Sequence, residues 1–343
     1  MKKIDLDYVL KISKELIDIP SVVGFTDEVT KRVEKEIKKY GLKSFYTKKG
    51  ALIATVDGED NKEAKMISAH VDTIGGIVKR LKENGRLELT NLGGIIWAGV
   101  EGENVTIHAF NGKKYTGTLM PIKSSAHAYG DEARETIRTT ETVEVRLDEI
   151  SNSKDDLEKL GIKIGDCASF EPRTVITESG YIKSRYLDDK LCIGQVFGYL
   201  KYLKENKLKP KNKLYIYFSN YEEIGHGISI IPEDVTEFIA LDIGIVSPIS
   251  MGDERKVSIA MKDNKTIYDT QVNRKLINCA EKNKIGYTLD LYNRYGSDAS
   301  GVVLQMADVR IACIGPSVDG SHHYERTHID GVKATIELMV AYL

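Results

Sequence analysis

The 343-residue sequence has only four cysteines, a formal net charge of −2, and no apolar run as long as a membrane span. Each shortage excludes something. Cys167, Cys192, Cys279 and Cys313 are far apart and form no CxxC pair, which argues against a disulfide framework and against structural zinc held by cysteine. Each sits among apolar neighbours, so small buried thiols in a reducing compartment are expected. A charge so close to balance offers no basic excess to neutralise phosphates, so no nucleic-acid partner is expected. A membrane helix needs about 20 apolar residues in succession, and none is present. At the N-terminus, Val9, Ile12 and Leu16 are spaced by charged residues and describe an amphipathic helix, not the apolar core of a signal peptide. The expectation is a cytoplasmic protein with no membrane partner.

What is present divides by texture. The length suits about two domains, and 41% hydrophobic with 29% charged residues is ordinary for a globular chain. Residues 1–72 predict a helix, a second helix around Thr26 to Tyr40, and strands at Leu52 to Val56 and Met66 to His70. From Ile77 to Val175 come short strands broken by Gly and Asn, among them Val105 to Phe110, Lys114 to Leu119 and Val143 to Leu147. One helical stretch, Lys154 to Leu160, stops at Gly161. From Tyr181 strands and helices alternate again. Leu214 to Phe218 is wholly apolar, as a strand covered on both faces requires. The predicted fold class is α/β: a mostly parallel sheet with helices on both faces, interrupted by a small inserted all-β, barrel-like domain. The boundaries are 1–72 and 179–343 for the sheet domain and 73–178 for the insertion.

Metal-binding side chains cluster where these strands end: His70-Val71-Asp72, Asp188-Asp189, Glu222-Glu223, Asp242 and His322-His323. Ligands of open α/β sheets bind outside the carboxyl ends of the strands, so five remote clusters can meet in one pocket. His70 and Asp72, two apart, point the same way on an extended chain. Asp72 is placed either to orient the imidazole or to contact a catalytic base. Asp188 and Asp189 open a helix, where acids also serve as ordinary caps. Glu222 and Glu223 leave the backbone in different directions, so one can hold metal while the other moves a proton. Asp242 ends an apolar strand and needs a cation or a basic partner. His226 reads as a loop residue, and His108 and His127 receive no function.

At these residues the chain resembles the dinuclear metalloaminopeptidases known as tetrahedral, deblocking or glutamyl aminopeptidases, some of which carry an older cellulase-like label. The motifs are His70-Val71-Asp72-Thr73-Ile74-Gly75, Arg185-Tyr186-Leu187-Asp188-Asp189-Lys190, Tyr221-Glu222-Glu223-Ile224-Gly225, Leu241-Asp242, Gly296-Ser297-Asp298-Ala299 and the terminal histidine segment. The resemblance implies two divalent metal ions per subunit, most simply zinc, with cobalt or manganese as substitutes. It implies one ion on His70, Asp188 and Asp242 and another on Asp188, Glu223 and His322, with Asp188 bridging. Glu222 would be the general base acting on a water held by both metals, and Asp72 the acid beside His70. The family's usual single His followed by Ser and Pro is replaced here by Ser321-His322-His323-Tyr324-Glu325, which leaves His323 as a competitor for the last ligand. Peptides are the implied substrates, and the insertion looks like the family's accessory domain for homo-oligomers, from dimer to dodecamer. The alternatives are a related carboxypeptidase or dipeptidase, a glycosidase, and a non-catalytic scaffold. A glycosidase places two carboxylates across a sugar, about 5–9.5 Å apart, which suits neighbouring Glu222 and Glu223 poorly.

Overall fold

A computed structural model describes residues 2–343. The chain forms two compact units, Met1–Asp72 with Arg173–Leu343, and Thr73–Pro172. The sequence reading put the return at 178/179; the residues between belong to the first unit.

The first unit begins with α1 (Leu6–Ile17), α2 (Asp27–Lys39), β1 (Lys43–Tyr46), β2 (Leu52–Val56) and β3 (Asp60–His70). The side chain of Asp5 caps α1 by accepting from the Tyr8 amide at 3.0 Å, and Val9, Ile12 and Leu16 are buried. The second unit holds β4 (Gly75–Leu81), β5 (Leu87–Leu92), β6 (Asn104–His108), β7 (Lys114–Pro121), α3 (Ala126–Tyr129), α4 (Asp131–Glu135), β8 (Val143–Leu147), α5 (Lys154–Leu160) and β9 (Cys167–Phe170). Its strands close into a barrel in the order β4-β5-β8-β7-β6-β9. The stretch α5 has the predicted limits, capped by Ser153 and ended by left-handed Gly161. The helices α3 and α4 were not anticipated: they bury no residue and so carry no apolar periodicity to read.

The chain returns through β10 (Val175–Ile176), β11 (Tyr181–Ser184), α6 (Leu187–Asn206), β12 (Asn212–Ser219), β13 (Val235–Leu241), β14 (Gly244–Val246) and β15 (Val257–Lys262). It ends with α7 (Thr270–Asn283), β16 (Tyr287–Leu291), α8 (Asp298–Leu304), β17 (Arg310–Asp319), β18 (Glu325–His328) and α9 (Ile329–Tyr342). At the centre of the sheet β12, β3, β13 and β17 run parallel; antiparallel strands flank them. Successive residues of these strands enter opposite cores. Ile67, Ala69, Leu214, Ile216 and Phe218 face the larger core with α1, α2, α6, α7 and α9. Met66, Tyr215, Tyr217, Phe238 and Ala240 face a smaller one containing Ala299 and Val302 of α8. Two buried faces explain the unbroken apolar runs. Cys192 and Cys313 are buried as expected, but Cys167 and Cys279 are only half-buried, and all four thiols are free. Among the described residues no helix is long and apolar enough to cross a membrane.

Candidate metal centre

The central parallel strands point their carboxyl ends to one edge, and four of the five clusters follow from that polarity. His70 is the last residue of β3, Glu222 and Glu223 follow β12 after two residues, Asp242 comes directly after β13, and His322 lies in the turn between β17 and β18. The fifth cluster arrives from β11. Asp188 and Asp189 depart from helical backbone, with ψ of 105° and 18°, so the regular part of α6 begins after them. The pair therefore does not cap the helix as ordinary N-terminal acids would; its carboxylates turn toward the strand edge.

Ligand atoms of His70, Asp188 and Asp242 all lie within 4.8 Å of one another, and so do those of Asp188, Glu223 and His322. The two groups share Asp188. Its Oδ1 is 3.0 Å from His70 Nε2, and its Oδ2 is 3.7 Å from His322 Nε2. His322 Nε2 is also 3.6 Å from Glu223 Oε2. Separations of 3.6–3.7 Å are too long for hydrogen bonds. They suit two ligands of one tetrahedral ion, which lie roughly 3.4 Å apart when each bond is about 2.1 Å. Glu222 stands beside the groups, Oε2 3.8 Å from His70 Nε2, with its side chain 14% exposed.

Electrostatics points the same way. Burial pushes Glu222, Glu223, Asp242 and Asp189 well above the usual carboxylate range, and their mutual repulsion pushes them further. Burial alone would depress His70, but its bond to Asp188 and the charges of Asp189, Glu222 and Asp72 carry it well above the ordinary imidazole. Asp188 is the exception: burial raises it, yet the two imidazoles hold it below the usual range. So many carboxylates with only imidazoles between them form a site short of positive charge. Divalent cations fit that shortage, and a mixed carboxylate–imidazole set suits zinc.

The supporting contacts are specific. His70 Nδ1 is 2.9 Å from the Asp72 carbonyl oxygen but 3.7 Å from its carboxylate. With Nδ1–H donating to that carbonyl, Nε2 is free as a ligand. The Asp72 carboxylate instead accepts the backbone amides of Glu222 at 3.3 Å and Glu223 at 3.1 Å. Asp72 therefore contacts both the His70 imidazole and the backbone of the glutamate pair, through different atoms. Gly225, at φ +81°, ends the short turn that carries the two glutamates.

Three further residues support these groups: Asp189, which the sequence paired with Asp188 without giving it a role of its own, and Glu325 and Gly315, which were not singled out. Asp189 Oδ2 accepts the His70 amide at 3.0 Å. Glu325 accepts the amides of Asp188 and His322, each at 3.2 Å, and so ties two ligand-bearing segments to one carboxylate. His322 sits at φ +63°, an uncommon conformation for a residue with a side chain, and that bond holds it there. Gly315 is needed by contact: a Cβ there would lie 1.9 Å from the Asp242 carbonyl oxygen. Asp189 carried a sequence signal as half of an acidic pair and Glu325 as an acid beside the histidine pair; Gly315 carried none.

His322, not His323, enters the cluster; His323 is exposed. Replacing His322 by Ala is expected to lower bound metal by about one ion per chain, whereas His323→Ala keeps the full complement. Metal analysis of the two purified variants decides, and a loss confined to His323→Ala would reverse the assignment.

The acids also set a pH dependence for the metal-free protein. Folded-state pKa values raised for Glu222, Glu223, Asp242, Asp189 and His70 contribute stability that is present below the unfolded values and lost as pH rises through the folded ones. Asp188 acts oppositely, but only in acid, below the ordinary carboxylate range. The melting temperature of chelator-treated protein should fall across the interval from the ordinary carboxylate range up through the raised folded-state values, and stabilisation by added zinc should widen over that interval. A zinc-induced shift of constant size across the interval would contradict this account.

The profile of the M42 glutamyl aminopeptidase family matches residues 50–338. "Putative aminopeptidase YhfE" of Bacillus subtilis (strain 168) is 39% identical over 335 residues, covering 97% of this chain and 96% of that protein. Among solved structures, aminopeptidase APDkam598 from Desulfurococcus kamchatkensis superposes with TM-score 0.85 at 21% identity, covering 98% of this chain and 94% of the other. The Pyrococcus horikoshii TET1 peptidase, described as assembling into a tetrahedron or a large octahedral shell, does so with TM-score 0.82 at 22% identity, over 97% and 98% of the respective chains. At those identities the structural likeness establishes the fold, the mostly parallel sheet with its barrel insertion.

Proposed function

This chain belongs to the M42 glutamyl aminopeptidase family, and we propose that it removes N-terminal residues from peptides by metal-dependent hydrolysis. The observation that carries the two-metal reading is Asp188, which turns Oδ1 to His70 at 3.0 Å and Oδ2 to His322 at 3.7 Å. His70, Asp188 and Asp242 would hold one ion; Asp188, Glu223 and His322 would hold the other. Zinc is the first candidate, with cobalt or manganese as substitutes. When bound, such ions supply Lewis-acid activation of water and of the scissile carbonyl.

The chain's own residues do the rest. Glu222 takes a proton from the attacking water and returns it to the leaving amine. Asp72 fixes the direction of both glutamates through their amides and fixes the His70 tautomer through its carbonyl. The neutral α-amino nitrogen of the leaving peptide receives the proton and departs. Assembly into a homo-oligomer belongs to the same proposal, following the shells described for the TET1 peptidase. So does a cytoplasmic location, which suits four free thiols.

Chelator treatment followed by assay of three short peptides tests the proposal: one free at both ends, one N-acetylated and one C-amidated. Activity on the free and C-amidated peptides should vanish with chelator and return with zinc, and the N-acetylated peptide should resist throughout. Release of residues from the carboxyl end of the N-acetylated peptide would favour a carboxypeptidase and overturn the assignment.

A further inference from the structure

We propose that Lys49 is a positioning residue that clamps, from both sides, the loop carrying Glu222 and Glu223. The inference rests on the aminopeptidase reading above and adds a residue to it that lies far away in sequence and touches none of the metal-binding side chains named there.

Lys49 lies in the turn between β1 and β2, which is itself well held. The Gly50 amide donates to the Thr47 carbonyl at 3.0 Å, the Thr47 amide to the Ala51 carbonyl at 2.8 Å, and the Ala51 amide to Thr47 Oγ1 at 3.1 Å. From this base Lys49 reaches the glutamate loop at both its entrance and its exit. At the entrance, Asn220 Nδ2 donates to the Lys49 carbonyl at 2.7 Å. At the exit, the Lys49 ammonium donates to the His226 carbonyl and lies 2.8 Å from His226 Nδ1. Between them the ammonium stands 5.1 Å from the centroid of the Tyr221 ring, on which the His226 ring stacks at 5.0 Å and 20°. The loop is pinned internally by the His226 amide donating to the Tyr221 carbonyl at 3.1 Å. Residues 222–225 are thus bracketed by the internal Tyr221–His226 contact and, outside it, by one lysine that touches both ends of the loop.

The ordinary reading of a surface lysine is a solvated charge or a loose ion pair. Here the partners are a carbonyl, a ring nitrogen and a ring face, all on one loop. That loop needs an external hold. Ile224 is 45% exposed, and the Glu222–Ile224 turn buries no residue, so apolar packing does not fix it. Asp72 holds the turn from below through two amides, and Lys49 holds its two ends. Movement of about 1 Å in the base or in Glu223 is enough to cost a large factor in rate.

The test is Lys49→Met in the full-length, zinc-loaded protein, with Lys49→Arg beside it. Lys49→Met should lower kcat by roughly 10- to 100-fold with KM within about twofold and bound zinc unchanged. In the metal-free protein, amide hydrogen exchange over residues 220–227 should speed up while exchange in β3 and β12 stays as it was. Lys49→Arg should recover most of kcat, because a guanidinium donates to the same carbonyl and stacks on the same ring. Wild-type kcat in Lys49→Met, a rise in KM alone, or unchanged exchange in the loop would each overturn the clamp. Glu222→Gln serves as the separating control. Full activity in that variant would remove Glu222 as the base of the parent reading, whereas the exchange comparison judges the clamp without reference to catalysis.

Discussion

Glu222→Gln should lower kcat by about 10²- to 10⁴-fold, the range for removing a positioned proton-transfer group, while metal content stays at the wild-type value. The expectation follows from where Glu222 is and what it does not do. Its carboxylate lies 3.8 Å from His70 Nε2, at the rim of the metal groups. Neither ligand triad includes it. Its amide is fixed by Asp72 at 3.3 Å, so Gln should occupy the same place with nearly the same shape. Burial, and then the charges of Asp242, Asp298 and Glu223, raise its affinity for a proton above that of an exposed glutamate in the metal-free protein. An amide cannot accept and return a proton. Glu223→Gln at the next position should behave differently: loss of bound metal accompanies the loss of rate, because Glu223 lies within one triad. Comparing kcat with metal content in the two neighbours distinguishes base from ligand. Near-normal turnover in Glu222→Gln would remove Glu222 from the chemistry.

Parts of this arrangement were legible in the sequence because each rested on a local rule. Strands buried on both faces are recognisable from unbroken apolar runs, and β2, β8 and α5 lie where the sequence placed them. Acids at strand ends stood out because the surrounding residues are apolar. What remained illegible depended on partners distant in sequence. Nothing local distinguishes the carbonyl of Asp72 from its carboxylate as the partner of His70. Glu325 acquires its role only when Asp188 and His322 arrive beside it, 137 and 3 residues away along the chain. The departure of Asp188 and Asp189 from helical backbone is likewise invisible to a rule that counts acids near a helix start. Lys49, in the stretch Lys48-Lys49-Gly50, belongs to no motif, and its partners at 220–226 lie far along the chain. The helices α3 and α4 lacked the buried stripe by which helices are recognised.

Asp188→Ala should cost more metal than any other single substitution. It should weaken both sites beyond the roughly 10- to 100-fold loss that follows removal of an orienting partner. Asp242 and Glu223 each serve one group, but Asp188 serves both, through different oxygens. Asp242→Ala should therefore leave one ion held with near-normal affinity, and Asp188→Ala neither. The variant has opposing effects on the metal-free fold. His70 loses its 3.0 Å partner, while Glu223 and Asp242 are relieved of a charge that pushes both upward. Those effects offset each other, so a folded protein with little metal is expected instead of an unfolded one. Metal titration, with melting temperature as a second readout, provides the test: added zinc should raise the wild-type melting temperature and leave Asp188→Ala nearly unmoved. If Asp188→Ala still bound one zinc as tightly as the wild type, the carboxylate would belong to a single site. The shared-ligand arrangement, and with it the close pairing of the two ions, would have to be abandoned.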